Sequence, residues 1–272
     1  MNLKAQVDRP GYVLAFAGVV SLLFTGAIMT LHALTAPIAR RNARRYEQEA
    51  LVELFGLEAE AAKVGVDRLV RRRIAGYRGP DADARDPRRA PISIRDPRSG
   101  RDIPLLVAYR SDLPPDRPPD IRDTASVLAY AFPVDGVGFW ARIDGYLAVT
   151  PELDRIVGVV FLRHSETPGL GGRLTEKAWR DRFRGLDVTP PAEPGAFLHV
   201  GGERPATPRS PAYGRHVDAI TGATGTSTAV GAFLNERLAE FHRAAKAAGL
   251  GARRVFVLGA PAKRARPGGQ DG

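Results

Sequence analysis

The chain contains no cysteine among its 272 residues. That excludes disulfides, thiolate metal sites, iron–sulfur clusters and cysteine nucleophiles. It leaves the redox compartment open, since a cysteine-free chain tolerates either environment. Histidine offers no substitute: the five histidines, at 32, 164, 199, 216 and 242, have no close-spaced partners. Neither a metal-ligand cluster nor a Ser-His-Asp arrangement is evident, so no catalytic residue and no metal site is assigned. The phosphate-binding P-loop spacing, the glycine fingerprint of a dinucleotide-binding turn and any internal repeat are also missing. Acidic residues are in deficit, with 30 Asp+Glu against 40 Lys+Arg. The excess is mostly arginine in proline-rich and linker segments without interleaved aromatics. It fits a solvated or membrane-proximal surface, and no nucleic-acid partner is expected.

One long stretch lacks charge altogether. Residues 11–34, GYVLAFAGVVSLLFTGAIMTLHAL, include no Asp, Glu, Lys or Arg. At 1.5 Å per residue such a helix spans roughly 35 Å, enough to cross the apolar core of a bilayer with some tilt. The alternative is a cleaved signal peptide, but the run is long for one and no A-x-A-like site is well placed after it. We therefore expect a transmembrane helix at 11–34, preceded by a short polar segment at 1–10. Gly18, Ser21 and Gly26 either let another helix pack closely or face lipid. Pro37 is expected to stop or kink the helix. Residues 39–57 then read as a charged amphipathic helix. Arg40, Arg41, Arg44 and Arg45 lie just outside the membrane, Leu51, Val52, Leu54 and Phe55 form an apolar face, and Gly56 is a C-terminal signal.

Residues 76–120 are rich in Pro, Arg, Asp and Gly and read as irregular, with strand-like islands at 90–94 and 103–109 and a rigid spacer at 114–120. Strand patterns follow at 127–132, 140–149 and 155–162, with a turn at 136–138. A short helix is expected at 174–183, carrying Trp179, and a short strand at 196–200. The last helix is expected over 229–246, with Val230, Phe233, Leu234, Leu238 and Phe241 at helical spacing. One more strand at 254–258 and a basic, disordered tail close the chain. The organisation expected is 35–124 as amphipathic helix and irregular segment, 125–249 as the domain core, and 250–272 as short strand and tail.

The stretch that carries chemistry is Asp218-Ala219-Ile220-Thr221-Gly222-Ala223-Thr224-Gly225-Thr226-Ser227. It reads as a glycine-bearing turn feeding a helix N-terminus, where free backbone N–H groups and the positive end of the helix dipole suit a phosphate. An ordinary Thr/Ser helix cap with a glycine turn is the plainer reading.

Thr221-Gly222-Ala223-Thr224-Gly225-Thr226 resembles the [S/T]GATxT motif of the FMN-binding domain shared by two redox-complex components. These are NqrC of the Na⁺-translocating NADH:quinone reductase and RnfG of the Rnf complex. His164-Ser165-Glu166-Thr167-Pro168-Gly169-Leu170-Gly171-Gly172 resembles the H-x-ETPGLG loop of the same domains. Pro133 to Trp140, followed by Asp144-Gly145-Tyr146-Leu147-Ala148-Val149, is similar to the G-x-G-[LF]-W…GYLAV segment of the NqrC type. The resemblance covers 125–242 well and 10–57 in character.

The fold it implies is α+β: a single N-terminal transmembrane helix followed by one mixed α+β FMN-binding domain with an antiparallel-type sheet. The function implied is a membrane-anchored flavoprotein subunit relaying electrons through FMN, within a Na⁺-translocating NADH:ubiquinone oxidoreductase. The Rnf component is the alternative, and a non-redox, membrane-tethered binding module is the reading from another class. GYLAV, and LGGRL followed by Trp179, favour the quinone reductase. The chain is not expected to oxidise NADH by itself. By resemblance, FMN is attached through its phosphate to Thr226, and Asp218 lies in the segment read by the flavin transferase that makes the linkage. The partners implied are that transferase, the other subunits of the complex and the membrane. The location implied is the bacterial inner membrane, with 1–10 cytoplasmic and the FMN domain periplasmic.

Residues 221–224 (Thr221, Gly222, Ala223, Thr224) and the loop residues Glu166 and Thr167 are the other expected cofactor contacts. Trp140 and Leu170 can wall a flat ring, and Gly169, Gly171 and Gly172 let the backbone approach it. Plainer readings stay open. Trp140 can be core, and Glu166 can cap a turn or pair with Arg163 or Arg173. His164, as a structural hydrogen-bonder, is assigned no chemistry.

Overall fold

In the computed structural model, residues 10–77, 90–114, 120–191, 195–203, 210 and 213–251 are described. Residues 1–9, residues 115–119 of the spacer expected at 114–120, the strand expected at 254–258 and the basic tail lie outside the described residues.

The described residues begin with one helix of 45 residues, α1 (Pro10–Leu54), with Pro37 inside it. The break expected at Pro37, and a separate helix from residue 39, are thus corrected. Proline removes one backbone donor and crowds the carbonyl four residues back, and the ladder on either side carries the helix through. The hydroxyls of Thr30 and Thr35 add bonds there, donating to the carbonyls of Gly26 (2.7 Å) and Leu31 (2.9 Å). The first part of α1 is long and apolar enough to cross a membrane, and none of its apolar window is buried against the rest of the chain.

The last turns of α1 belong to the folded domain. Gln48, Leu51, Val52 and Leu54 are buried. Gly56 closes the helix at a φ of 70°, donating to the Glu53 carbonyl while Leu57 N–H donates to the Val52 carbonyl. This left-handed closure is one that glycine adopts without the Cβ penalty. Arg184 also donates to the Glu53 carbonyl, at 2.6 Å, and Arg180 pairs with the Glu53 carboxylate at 3.0 Å. Two short helices follow, α2 (Glu58–Val64) and α3 (Val66–Arg73).

The sheet contains β1 (Ile74–Ala75), β2 (Ile92–Arg95), β3 (Asp102–Tyr109), β4 (Val127–Val137), β5 (Arg142–Val149) and β6 (Ile156–Arg163). Every pairing in it is antiparallel, in the order β1-β3-β4-β5-β6 with β2 also on β3. The α+β class with an antiparallel sheet is therefore what the chain adopts. Beyond the sheet come α4 (Lys177–Arg180), flanked by 3₁₀ turns at Gly171–Thr175 and Asp181–Phe183, then β7 (His199–Val200) and β8 (His216–Val217), and last α5 (Thr224–Ala247). The continuous helix expected at 174–183 is thus broken into three short turns. The strand expected at 196–200 shrinks to two residues, paired in parallel with β8.

The sheet is buried on both faces. Tyr130, Phe132 and Val134 of β4 pack in the same cluster as Val230, Phe233, Leu234, Leu238 and Phe241 of α5. Ala129 and Ala131, which alternate with them, face a second cluster with Leu51, Val52 and Leu54 of α1 and Leu69 and Val70 of α3. The architecture is three layers: α1–α3, the sheet, and α5. Rings of Phe132 and Phe241 stack at 4.1 Å between centroids.

β4 runs five residues past its expected end, and the turn moves from 136–138 to 138–141, where Gly138 N–H donates to the Ala141 carbonyl. Pro133 is tolerated because the pairing with β3 stops at Ala131, so that side of β4 needs no donor there. Gly136 stays in the strand because the Phe233 side chain of α5 occupies the place of a Cβ.

An ion pair ties the β2–β3 hairpin to α5. Arg243 donates from Nε and Nη2 to the fully buried Asp96 carboxylate, at 3.1 and 2.9 Å. These bonds hold the Asp96 carboxyl well below the usual carboxylate range, against burial, with help from the Arg98 N–H and the Ser99 hydroxyl. A carboxyl whose pKa is depressed by folding stabilises above its unfolded pKa and loses that contribution as pH falls below it. Asp96→Asn should therefore melt below the parent at neutral pH. The gap should shrink as pH drops below about 4, where an unfolded Asp protonates. Thermal melts from pH 7 to 3 check this.

Candidate functional site: a pocket at the N-terminus of α5

Thr221-Gly222 turns the chain into α5, with Gly222 at a φ of 79°. The helix starts at Thr224, five residues earlier than its apolar periodicity indicates. Its first turn is set by Ser227, which is fully buried. The Ser227 hydroxyl accepts from Ile220 N–H and donates to the Ala223 carbonyl, both at 2.9 Å. Trp179 fixes the approach from the other side, its indole N–H donating to the Asp218 carbonyl at 3.0 Å. The N-cap is Ala223, and no side chain caps the helix. The cap expected from a Thr or Ser is thus not what these hydroxyls provide. Thr224, Gly225 and Thr226, whose first-turn N–H groups have no intrahelical partner, line a pocket.

Thr226 lies in that first turn with its side chain buried. Its hydroxyl donates to Glu166 Oε2 at 2.6 Å, across 60 residues of chain. Glu166 is also buried, only 4% exposed, and its Oε1 accepts from Trp140 N–H at 3.0 Å. Burial pushes the Glu166 carboxyl upward. Hydrogen bonds from the Thr226 hydroxyl and from the backbone N–H groups of Trp140, Phe139 and Ala141 outweigh it and bring the pKa below its ordinary value. At neutral pH Glu166 is therefore a carboxylate and only accepts, which fixes Thr226 as the donor. Arg163 and Arg173 pair elsewhere, with Asp144 and Glu176.

Two glycines make room for this pair. A Cβ on Gly171 would stand 2.5 Å from Thr226 Oγ1 and 2.7 Å from Glu166 Oε2, and one on Gly138 would stand 2.5 Å from Glu166 Oε1. His164 accepts the Glu166 N–H through Nδ1, at 3.2 Å, a structural bond.

The pocket above Thr226 has a volume of about 190 Å³. That is below the roughly 300–1,000 Å³ of pockets that enclose a drug-sized ligand, so a larger ligand projects out of it. Its wall is apolar and open: Trp140 is 68% exposed and Phe139 62%, so Trp140 is not core. The two rings meet edge to face at 5.1 Å, and the Trp140 indole N–H donates to the Thr167 hydroxyl at 3.1 Å.

Of the residues expected at the site, nine line this one pocket: Trp140, Glu166, Thr167, Leu170 and Gly171 from one side, and Gly222, Ala223, Thr224 and Thr226 from the other. Gly169 sits exposed in the loop at a φ of 74°. Gly172 donates to the Thr167 carbonyl, behind the wall. Thr221 is exposed at the turn. Asp218 points elsewhere, 3.5 Å from Arg182 and 3.4 Å from His216. Two further residues, Phe139 and Gly225, line the pocket without being expected there. They belong together, since a Cβ on Gly225 would stand 2.7 Å from the Phe139 ring. The signal in the sequence is a large apolar residue beside a turn glycine.

The residues fit a flavin mononucleotide: an uncapped helix N-terminus for the phosphate, glycines where it must approach, and an exposed aromatic wall for the ring. Comparison with known proteins agrees. Residues 138–239 match the FMN-binding domain family. The C subunit of the Na(+)-translocating NADH-quinone reductase from Chlamydia pneumoniae is 34% identical over 119 residues, which are 40% of this chain and 37% of that protein. Its counterpart from Pseudomonas aeruginosa is 33% identical over 103 residues, 38% of this chain and 39% of its own length. The chain thus spans about two fifths of the length of the curated relatives it matches. The crystal structure of Shewanella oneidensis NqrC superposes with a TM-score of 0.50 at 21% identity, covering 73% of this chain and 93% of that one. At that identity the likeness speaks for the fold. The matched segment thus lies in a fold like that of NqrC, with the pocket between the loop after β6 and the start of α5.

Replacing the Thr226 hydroxyl by a methyl group tests the buried hydrogen bond. Thr226→Val leaves Glu166 Oε2 without its donor and should cost about 1–3 kcal/mol, measured by urea denaturation of flavin-free protein.

Proposed function

We propose that the chain is a membrane-anchored flavoprotein subunit of a Na⁺-translocating NADH:quinone oxidoreductase, carrying FMN in phosphoester linkage to Thr226. The observation that carries this reading is the Thr226 hydroxyl on the floor of the pocket, in the first turn of an uncapped 24-residue helix. There the first-turn amides and the helix dipole favour a phosphate by about 0.3–1 kcal/mol, more where the site is partly buried. When bound, FMN supplies reversible one- and two-electron redox chemistry. The chain's own residues do the holding: Gly222, Ala223 and Gly225 admit the phosphate, and Trp140, Phe139 and Leu170 wall the ring. With so shallow a pocket, the ring stays open to solvent or to a neighbouring protein of the complex, as an electron relay needs. The remaining subunits and the flavin transferase belong to this proposal, not to the chain itself.

Covalent attachment is tested by in-gel flavin fluorescence after denaturation, with the chain made beside a flavin transferase. Signal should vanish in Thr226→Ala and survive, at least in part, in Thr224→Ala. Retention in the Thr226 variant contradicts the assignment. Trp140→Ala and Leu170→Ala should keep the linkage but shift the absorption and midpoint potential of the flavin.

We place α1 across the bacterial inner membrane with the FMN domain on the periplasmic side. The arginine count alone argues the reverse, since Arg40, Arg41, Arg44 and Arg45 follow the apolar stretch and only Lys4 and Arg9 precede it. That rule is weakest for long translocated domains, however, and a cysteine-free domain folds unhindered in an oxidising compartment. Alkaline phosphatase fused after Gly249 should be active, and a cytoplasm-only fluorescent protein fused there should be dark. The opposite pair of results overturns the placement.

A further inference from the structure

The pocket has one titratable side chain in its lining, Glu166. Its two oxygens do different work. Oε1 is spent on the backbone of the β4–β5 turn, and Oε2 accepts a hydrogen bond from the Thr226 hydroxyl at 2.6 Å. Had Glu166 been needed only to hold the turn, Oε2 could face solvent. Instead it is buried against the Thr226 hydroxyl at the pocket, and Gly171 is kept free of a Cβ that would separate the two. A threonine hydroxyl is a weak nucleophile until a base beside it accepts its proton, and the diagnostic geometry is such a contact at about 2.6–3.2 Å.

We propose that Glu166 is the general base for the modification of this chain, accepting the Thr226 proton as the flavin phosphoester forms. The inference rests on the reading that FMN is attached at Thr226. The co-reactant is a flavin dinucleotide, presented with its pyrophosphate by the transferase. Thr226 Oγ1 attacks the flavin-side phosphorus, and the new O–P bond forms as the pyrophosphate P–O bond breaks. The nucleoside monophosphate leaves with that electron pair, and the hydroxyl proton passes to Glu166 Oε2. No oxidation state changes. On this account the chain brings its own base to the reaction, and the transferase presents the dinucleotide.

The test is labelling of the full-length chain in detergent with excess flavin transferase and FAD, followed as flavin fluorescence of denatured bands and located by peptide mass. Glu166→Gln keeps an oxygen for the turn and a polar contact to Thr226 but cannot take the proton. Its labelling rate should fall by about 100-fold or more, with a melting temperature close to the parent's. Labelling of the Gln variant at the parent rate overturns the proposal. If the Gln variant has no cooperative melt, Glu166→Asp and Glu166→Ala decide. The Asp variant keeps a carboxylate and should be labelled faster, and equal rates overturn the proposal. Peptide masses separate the two levels of the argument. Flavin on another residue of the parent removes the Thr226 reading itself. Flavin on Thr226 in parent and Gln variant alike, at equal rates, removes only the role of Glu166.

Discussion

The hydrogen bond between Thr226 and Glu166 joins the two segments that make the site, and both ends of it depend on the sheet. Glu166 is held by the turn between β4 and β5, and Thr226 by the first turn of α5, which lies against the same strands. The pocket is thus a consequence of where α5 docks. Phe233 over Gly136, the stacked Phe132 and Phe241, and the Asp96–Arg243 pair fix that docking along the length of the helix. A shift of α5 by one turn, about 5.4 Å, would carry Thr226 away from Glu166 and the uncapped N-terminus away from the aromatic wall.

The layer on the opposite face has a different task. The last turns of α1 pack on β5 and β6, and Arg184 and Arg180 clamp the Glu53 turn to the segment after β6. The buried part of α1 begins near Gln48, about four turns past the apolar stretch. At 1.5 Å per residue this stands the folded domain about 20 Å above the end of that stretch. Because α1 is continuous through Pro37, the spacing is rigid. The relay proposed for this chain would use such a standoff to meet a partner at a set height, and the arginines at 40–45 occupy the intervening turns.

Much of this is legible in the sequence because it is written locally. The glycine-bearing turn, the Glu-bearing loop and the GYLAV strand each have recognisable residues, and nine of the expected contacts meet in one pocket. What is not legible depends on distant contacts. The first turn of α5 is made of Thr, Gly and Ser, poor helix formers, and becomes helical because Ser227 bonds to Ile220 and Ala223. The extension of β4 through Pro133 is allowed because the pairing of β3 with β4 stops at Ala131. Pro37 carries the strongest local stop signal in the chain, yet the long helix around it prevails. The Thr226–Glu166 contact joins residues 60 apart, and no periodicity reports such a pair. Phe139 is visible in the sequence but has no stated reason until Gly225 is found beneath its ring.

The central claim is that the flavin is held through its phosphate on a threonine rather than by packing in a shallow pocket. Phosphorus NMR of the purified full-length chain, denatured and freed of small molecules, tests it most directly. The account predicts one protein-bound phosphodiester resonance whose position does not move with pH. A resonance that titrates near pH 6, as a phosphomonoester does, or no protein-bound phosphorus in yellow protein, would contradict it.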